Sequence, residues 1–438
     1  MPLRDSELHE WYRWFHQHPE PSYAEVETTA KIAGILKDHG VTILESGLST
    51  GLVAQIQGTR TAPGVTFPVA TRHHVVALRG DIDALPIQEQ TGLPYTSLNP
   101  GYLHGCGHDF NLMVALAAAL ELQEKRSEFA GTVKVIFQPA EEVAATKDTP
   151  TGAVVVLRTG VLDDVEAFFG THDSNALEPG RIGISAGPVS GAVDKFSITI
   201  TGQGSHAAHP DAGRSPIRPL ISLAQGLESL AGLDLDPTHP RVVSITHIEA
   251  GSTWNVIPDR AFIEGTVRTA YPEDRRLLHD RIQALVDGLA DAWSVDADFH
   301  WDYGSPAVVN DAGWARIAEQ AAREAGLEPQ SSPVTLGGED FSYYLGHAPG
   351  VFLHIGVGNG DRPMHGPTFY PQLDALAPAG RTLATLALLA LRNLDNADDA
   401  GDIDDAADSA SSSNESSFGA VTTLPAIPPI HPHVSQRR

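Results

Sequence analysis

The sequence predicts an α/β protein with a smaller α+β unit set inside it, and three observations lead there. Short apolar runs at Leu52–Ile56, Val75–Leu78 and Val133–Phe137 have the length and β-branched content of buried strands. They alternate with helical patterns, including the Ala-rich stretch Leu112–Leu122, which suits a layer built on a largely parallel sheet. From about Arg181 to Phe299 the order changes to strand, helix, two strands and helix, as in a small sandwich inserted into the larger layer.

Each element has its own signal. At the N-terminus Leu8, Trp11, Tyr12 and Phe15 recur at helical spacing until Pro19 and Pro21 interrupt them. A second amphipathic run, Ala24–His39, ends at Gly40, a residue suited to closing a helix. Within the inserted unit Phe196–Thr201 alternates in the β manner, and Val242–His247 and Ala261–Thr269 read as strands. Ile217–Leu230 and Pro272–Trp293 read as helices, and Ala375–Leu394 as the closing helix of the larger layer. The Asp- and Ala-rich stretch from Asn396, the Ser-rich stretch after it and the Pro-rich end lack the apolar content to offset ordering, so disorder is expected there. The expected division is therefore 1–181 and 300–395 for the larger layer, 182–299 for the insertion and 396–438 for the tail.

Composition narrows the classes. A single cysteine in 438 residues excludes a disulfide scaffold. No run approaches the roughly 18 apolar residues of a membrane span, and the N-terminus lacks an apolar leader core, so a cytoplasmic location is expected. Lys plus Arg is 29 and Asp plus Glu is 55, a net of −26, which disfavours nucleic acid and anionic membrane as partners. Only six of the cations are Lys against 23 Arg, and this acid-rich, Lys-poor balance suits a salt-adapted protein whose self-repulsion is screened.

Several short motifs carry chemistry. The one cysteine sits in His104-Gly105-Cys106-Gly107-His108-Asp109, and Cys106 and His108, two apart in a turn, suit a cation such as Zn²⁺. A buried inert thiol and a cysteine nucleophile activated by a neighbouring His are the alternatives. Glu141 and Glu142 directly follow the apolar run Val133–Phe137, and ligands bind at strand ends in α/β sheets. Two adjacent carboxylates need a cation: one can ligate a metal while the other acts as general base, the alternative being a solvated acidic turn. Phe168–Asp173 places His172 at the end of another apolar run, and Asp81 and Asp83 alternate after Val75–Leu78. Asp83 could orient a ligand or hold a nearby histidine. His365, in Met364–Phe369, is one more histidine in a turn.

In this order the motifs resemble the M20 metallopeptidase family, most closely its amidohydrolase branch of hippurate hydrolases, N-acyl-amino-acid amidohydrolases and auxin-conjugate hydrolases. The resemblance runs from Trp11 to Leu394 and rests on Trp14–Glu20, Arg79–Pro86, Gly105–Asp109, Gln138–Glu142, Gly202–Ala208, Asn255–Pro258, Gly338–Phe341 and His365–Phe369. It implies a di-metal aminopeptidase-like catalytic domain with an inserted ferredoxin-like α+β lid that also dimerises. It implies two divalent ions (Mn, Zn or Co) held by Cys106, His108, Glu142, His172 and His365, with Glu141 as general base and Asp83 as a ligand's partner or catalytic acid. It further implies that His206 reaches a neighbouring subunit's site to steady an oxyanion, and that Asn255 and Arg268 contact the substrate carboxylate. The implied reaction is metal-dependent hydrolysis of an N-acyl amino acid. A dipeptidase or deacetylase of the same fold and a non-catalytic binding protein on this scaffold are the alternatives. Two positions depart from the branch: Asn111 stands where many relatives carry His, and His209 where an apolar residue is frequent.

Overall fold

The computed structural model of the protein describes residues 4–60, 73–143, 149–230, 232 and 235–408. Its larger sheet has eight strands in the order Thr42–Ile43, Leu52–Gln57, Thr132–Gln138, Val75–Asp81, Ala167–Ser174, Gly350–Gly356, Arg181–Gly183 and Glu328–Gln330. The expected parallel character holds at the centre only. Thr132–Gln138, Val75–Asp81, Ala167–Ser174 and Gly350–Gly356 run parallel, whereas Leu52–Gln57 and Arg181–Gly183 pair antiparallel to their central neighbours. Central strands covered on both faces read as unbroken apolar runs, which is why the sequence exposed them.

The Ala-rich helix, His108–Glu124, begins earlier than its apolar stretch suggests and is buried without a break from His108 to Leu120. A helix that is apolar all round is covered on every side, here by the sheet and by other helices. Helices Asp5–Gln17, Val26–Asp38 and Ala312–Glu324 share its core. The closing helix is Leu376–Asp408, so it runs past Asn396, from where disorder was expected. Residues 409–438 of that expected tail lie outside the described residues. The expectation on membrane spans needs a correction here. Leu373–Asp398 is long and apolar enough to cross a membrane by length and composition, yet most of it is buried, with Leu376, Ala379, Leu383, Leu386 and Ala387 in the main core.

The inserted unit is a separate four-stranded antiparallel sheet in the order Arg241–Ala250, Arg260–Thr269, Ala192–Thr201, Asp296–Tyr303. Helices Ile217–Leu230 and Pro272–Trp293 pack on one face through Leu220, Leu223, Leu227, Leu278, Ile282 and Val286. Strand, helix, two strands, helix, strand with the fourth strand beside the first is the ferredoxin-like arrangement. The sheets set the boundaries differently from the sequence: Arg181–Gly183 belongs to the large sheet, and the inserted sheet spans Ala192 to Tyr303, so positions 182 and 299 both fall inside strands. Period-2 patterning cannot say which sheet a short strand joins.

Candidate active site

Three central parallel strands end side by side, and each delivers part of one cluster. Val75–Asp81 leads into Asp83, Thr132–Gln138 into Glu141 and Glu142, and Ala167–Ser174 carries His172. Cys106 and His108 come from the turn opening the helix His108–Glu124. That turn needs its glycine: Gly107 has φ +77°, and a Cβ there would lie 2.1 Å from Asp173 Oδ1. His365 arrives from a distant turn with φ +61°, and Ala140, just before Glu141, has φ +50°. Such left-handed backbone at residues with a Cβ costs on the order of 1–3 kcal/mol and concentrates at functional sites.

All five residues expected as metal ligands meet. One ligand atom each from Cys106, His108 and His172 lie within 4.8 Å of one another, and so do those of Cys106, Glu142 and His365. Cys106 Sγ is 3.5 Å from His172 Nε2 and 3.2 Å from His365 Nε2, which is itself 3.4 Å from Glu142 Oε1. The far nitrogens are held: His172 Nδ1 donates to the Asp173 carbonyl at 2.8 Å, and His108 Nδ1 to the Asp83 carbonyl and Oδ1 at 2.9 and 3.1 Å. This aims each Nε2 at the cluster. Among the described residues His108 Nε2 is buried without a hydrogen-bond partner, and the buried Glu142 Oε1 meets only imidazole nitrogens, His365 Nε2 at 3.4 Å and His108 Nε2 at 3.9 Å. A buried polar atom ordinarily finds a partner, so the free His108 Nε2 fits a cation held with Cys106 and His172. Metal–sulfur and metal–nitrogen bonds of about 2.3 and 2.0 Å set two tetrahedral ligands roughly 3.5 Å apart, the observed sulfur–imidazole spacing.

The electrostatics agree. Burial opposes charge on Cys106, but His172, His108 and His365 hold its thiol below the usual value. Hydrogen bonds to Cys106 and Glu142 raise His365 to about 10. Burial, with Glu339, Asp340 and Glu142 close by, pushes the Glu141 carboxyl well above the carboxylate range. Burial also raises Asp83, but His108, Ser22 and the Glu142 N–H outweigh it and bring Asp83 to about 2. Asp83 is therefore an ionised acceptor for His108, which favours the orienting role over that of an acid.

Around the cluster lie residues for which the sequence suggested no role. Arg79 is fully buried and bonds Asp81 at 2.6 Å, Asp340 at 2.9 Å, Glu339 at 3.1 Å and Gln138 at 2.9 Å. This is where Gly338-Glu339-Asp340 is used. Ser22 Oγ donates to Asp83 Oδ2 at 2.6 Å. Asn111 is buried, donating to Asp81 and accepting from the Asp173 N–H, so the departure from His is built into the support of the site. His354 stands in register beside His172, its Nδ1 3.1 Å from Ser332 Oγ, and burial holds it near 4. His104 is buried with neither ring nitrogen bonded, and burial holds it near 4 as well.

A cavity of about 1090 Å³ opens over the cluster, lined by Cys106, Glu141, Glu142, His172 and His365 below and by Lys195, Glu264 and Arg268 of the inserted sheet above. Arg268 makes no hydrogen bond or ion pair with the described residues, which leaves its guanidinium open to a ligand. His206 and Asn255 do not line the cavity. They sit together on an exposed ribbon, Ser205–His206 against Val256–Ile257, where the Ala207 N–H donates to the Asn255 carbonyl.

Comparison with known proteins meets this geometry. The model of peptidase family M20/M25/M40 matches residues 77–389. An N-acetylcysteine deacetylase of Bacillus subtilis (strain 168) is 40% identical over 373 residues, 85% of this chain and 93% of its own. An N-acyl-L-amino acid amidohydrolase of Geobacillus stearothermophilus is 35% identical over 300 residues, 68% of this chain and 77% of its own. A solved Bacillus subtilis structure, described as a dinuclear metal binding peptidase from the M20 family, superposes with a TM-score of 0.78 at 38% identity, covering 89% of this chain and 98% of that one.

Proposed function

From the premise that the chain belongs to peptidase family M20/M25/M40 and is a hydrolase of it, we propose that it cleaves the amide bond of small N-acyl amino acids, yielding a carboxylic acid and a free amino acid. The observation that carries the reading is the convergence beside the cavity of one thiol, three imidazoles and one carboxylate, with the buried His108 Nε2 left unpartnered. Cys106, His108 and His172 would hold one divalent ion, and Cys106, Glu142 and His365 a second. Mixed sulfur, nitrogen and oxygen donors suit Zn²⁺, Co²⁺ or Mn²⁺. When bound, such ions supply Lewis acidity, lowering the pKa of a water and polarising a carbonyl.

The chain's own groups do the rest. Glu141, unligated beside Glu142, takes a proton from the attacking water and returns it to the departing amine nitrogen. Its raised pKa suits a group that must both accept and release a proton. Asp83 keeps His108 in one tautomer and orientation. Arg268, unpaired over the cavity, receives the substrate carboxylate, for which its planar fork is suited. The names of the two relatives above, a deacetylase and an amidohydrolase of N-acyl amino acids, support this substrate class.

His206 and Asn255 belong in this reading to the cavity of a second copy, since they do not line their own. Trp254, 92% exposed next to Asn255, with Ile248 and Val256 half exposed nearby, supports an interface there. The testing experiment is amino-acid release from N-acetyl, N-benzoyl and indoleacetyl amino acids and from dipeptides, with Mn²⁺, Zn²⁺ or Co²⁺ and again after chelation. Chelator-sensitive release from the acyl substrates is expected. Release from dipeptides alone would overturn the substrate class.

A further inference from the structure

We propose that Glu25 is a positioning residue for the carboxylate pair: it holds the strained turn that aims Glu141 and Glu142 into the cavity. The inference rests on the roles given above to those two residues.

Ala140 adopts φ +50° with its side chain fully buried, a conformation that a residue with a Cβ keeps only when its surroundings hold it. Its carbonyl accepts the Gly152 N–H at 2.9 Å. Its N–H has left the sheet, since the strand ends at Gln138, and it donates instead to Glu25 Oε1 at 2.8 Å. The other oxygen, Oε2, accepts Thr50 Oγ1 at 2.7 Å, which locks the carboxylate in place. Glu25 is itself completely buried. The strand ladder no longer reaches the Ala140 N–H, and Glu25 is the side chain that does. Without it a buried donor is left unpaired, and relaxation of the turn toward right-handed backbone would swing Glu141 and Glu142 off their targets.

The same segment grips the other loop of the site. Ser22 Oγ donates to Asp83 Oδ2, and the Glu20 carbonyl accepts the Ala84 N–H at 2.8 Å. Pro19–Glu25 thus ties the Asp83 loop and the Ala140 turn to one piece of backbone, although they follow different strands. It lies outside the residues matched by the family model, which begin at 77.

The test uses the full chain with three substitutions. Glu25→Gln keeps an acceptor for Ala140 and can donate to Thr50. Glu25→Asp keeps the charge but shortens the reach, and Glu25→Ala removes both. The readouts are amide hydrogen exchange at Ala140 relative to the helix Val26–Asp38, Co²⁺ affinity, and kcat and KM on an N-acetyl amino acid. Glu25→Ala and Glu25→Asp should expose the Ala140 amide to exchange, weaken Co²⁺ binding and lower kcat on the order of a hundredfold with little change in KM. Glu25→Gln should stay near wild type on all of them. If Glu25→Ala fails to fold, Glu25→Asp carries the comparison. Unchanged Ala140 exchange in the folded short variants would overturn the proposal, as would equal damage from Gln and Asp. Exchange and Co²⁺ binding need no substrate, so wild-type inactivity on N-acyl amino acids would defeat the functional reading separately.

Discussion

Glu141 and Glu142 are neighbours in sequence with opposite electrostatics: burial and three nearby carboxylates raise one, while His365 and His108 outweigh burial and lower the other. That split separates a proton carrier from a ligand. Glu141→Gln should lower kcat by about 10²–10⁴ while Co²⁺ binding stays intact, as steady-state kinetics and a metal titration would report. Turnover near wild type would remove Glu141 from the role of base. Arg268→Met should raise KM roughly tenfold to a hundredfold for an N-acyl amino acid but leave the matching amino-acid amide unchanged, because only the former offers a carboxylate. An equal effect on both substrates would contradict that contact. The five candidate ligands were legible through the motifs that resemble the family; Glu142 and His172 also follow apolar runs, whereas His365 sits in a turn with no such local signal. Ser22, Glu25, Arg79 and His354 were not legible, because their partners lie on other strands and loops and no local pattern joins such pairs.

At the scale of elements, the parallel centre of the large sheet places three strand ends within reach of one cluster, and buried polar networks keep the surrounding elements in register. One network joins the first helix to the ligand-bearing helix: His16 lies 2.7 Å from Asp109 and 3.3 Å from Glu89. Burial disfavours charge on His16, yet the two carboxylates outweigh it and raise its pKa to about 9. A free histidine titrates near 6.5. The stability gained from this pairing is therefore complete below about pH 6.5, declines as the pH rises and is gone above about 9. Denaturant melts across that window should show the decline in wild type and a flatter profile in His16→Asn; parallel profiles would argue against it. Arg79→Met should cost about 3–5 kcal/mol, because it strands three buried carboxylates. The order of helices and strands was readable from apolar spacing. The antiparallel flanks, the sheet membership of Arg181–Gly183 and the extension of the last helix to Asp408 were not, since short strands and Asp-Ala stretches carry little periodic signal.

For the whole molecule, a formal charge of −26 gives the folded chain strong self-repulsion at low salt. The Debye length falls from about 10 Å at 0.1 M to about 3 Å at 1 M, so the melting temperature should climb with KCl across that range in calorimetry. A flat or falling dependence would contradict salt adaptation. The two sheets meet at one cavity, with the candidate metal-ligating side chains below and the unpaired Arg268 above. The most direct measurement is the number of Co²⁺ or Zn²⁺ ions bound per chain at saturation, taken in wild type and in His365→Ala. Two ions are expected in wild type and one tightly held ion in the variant, because Cys106, His108 and His172 remain. A single ion or none in wild type would contradict a two-ion site.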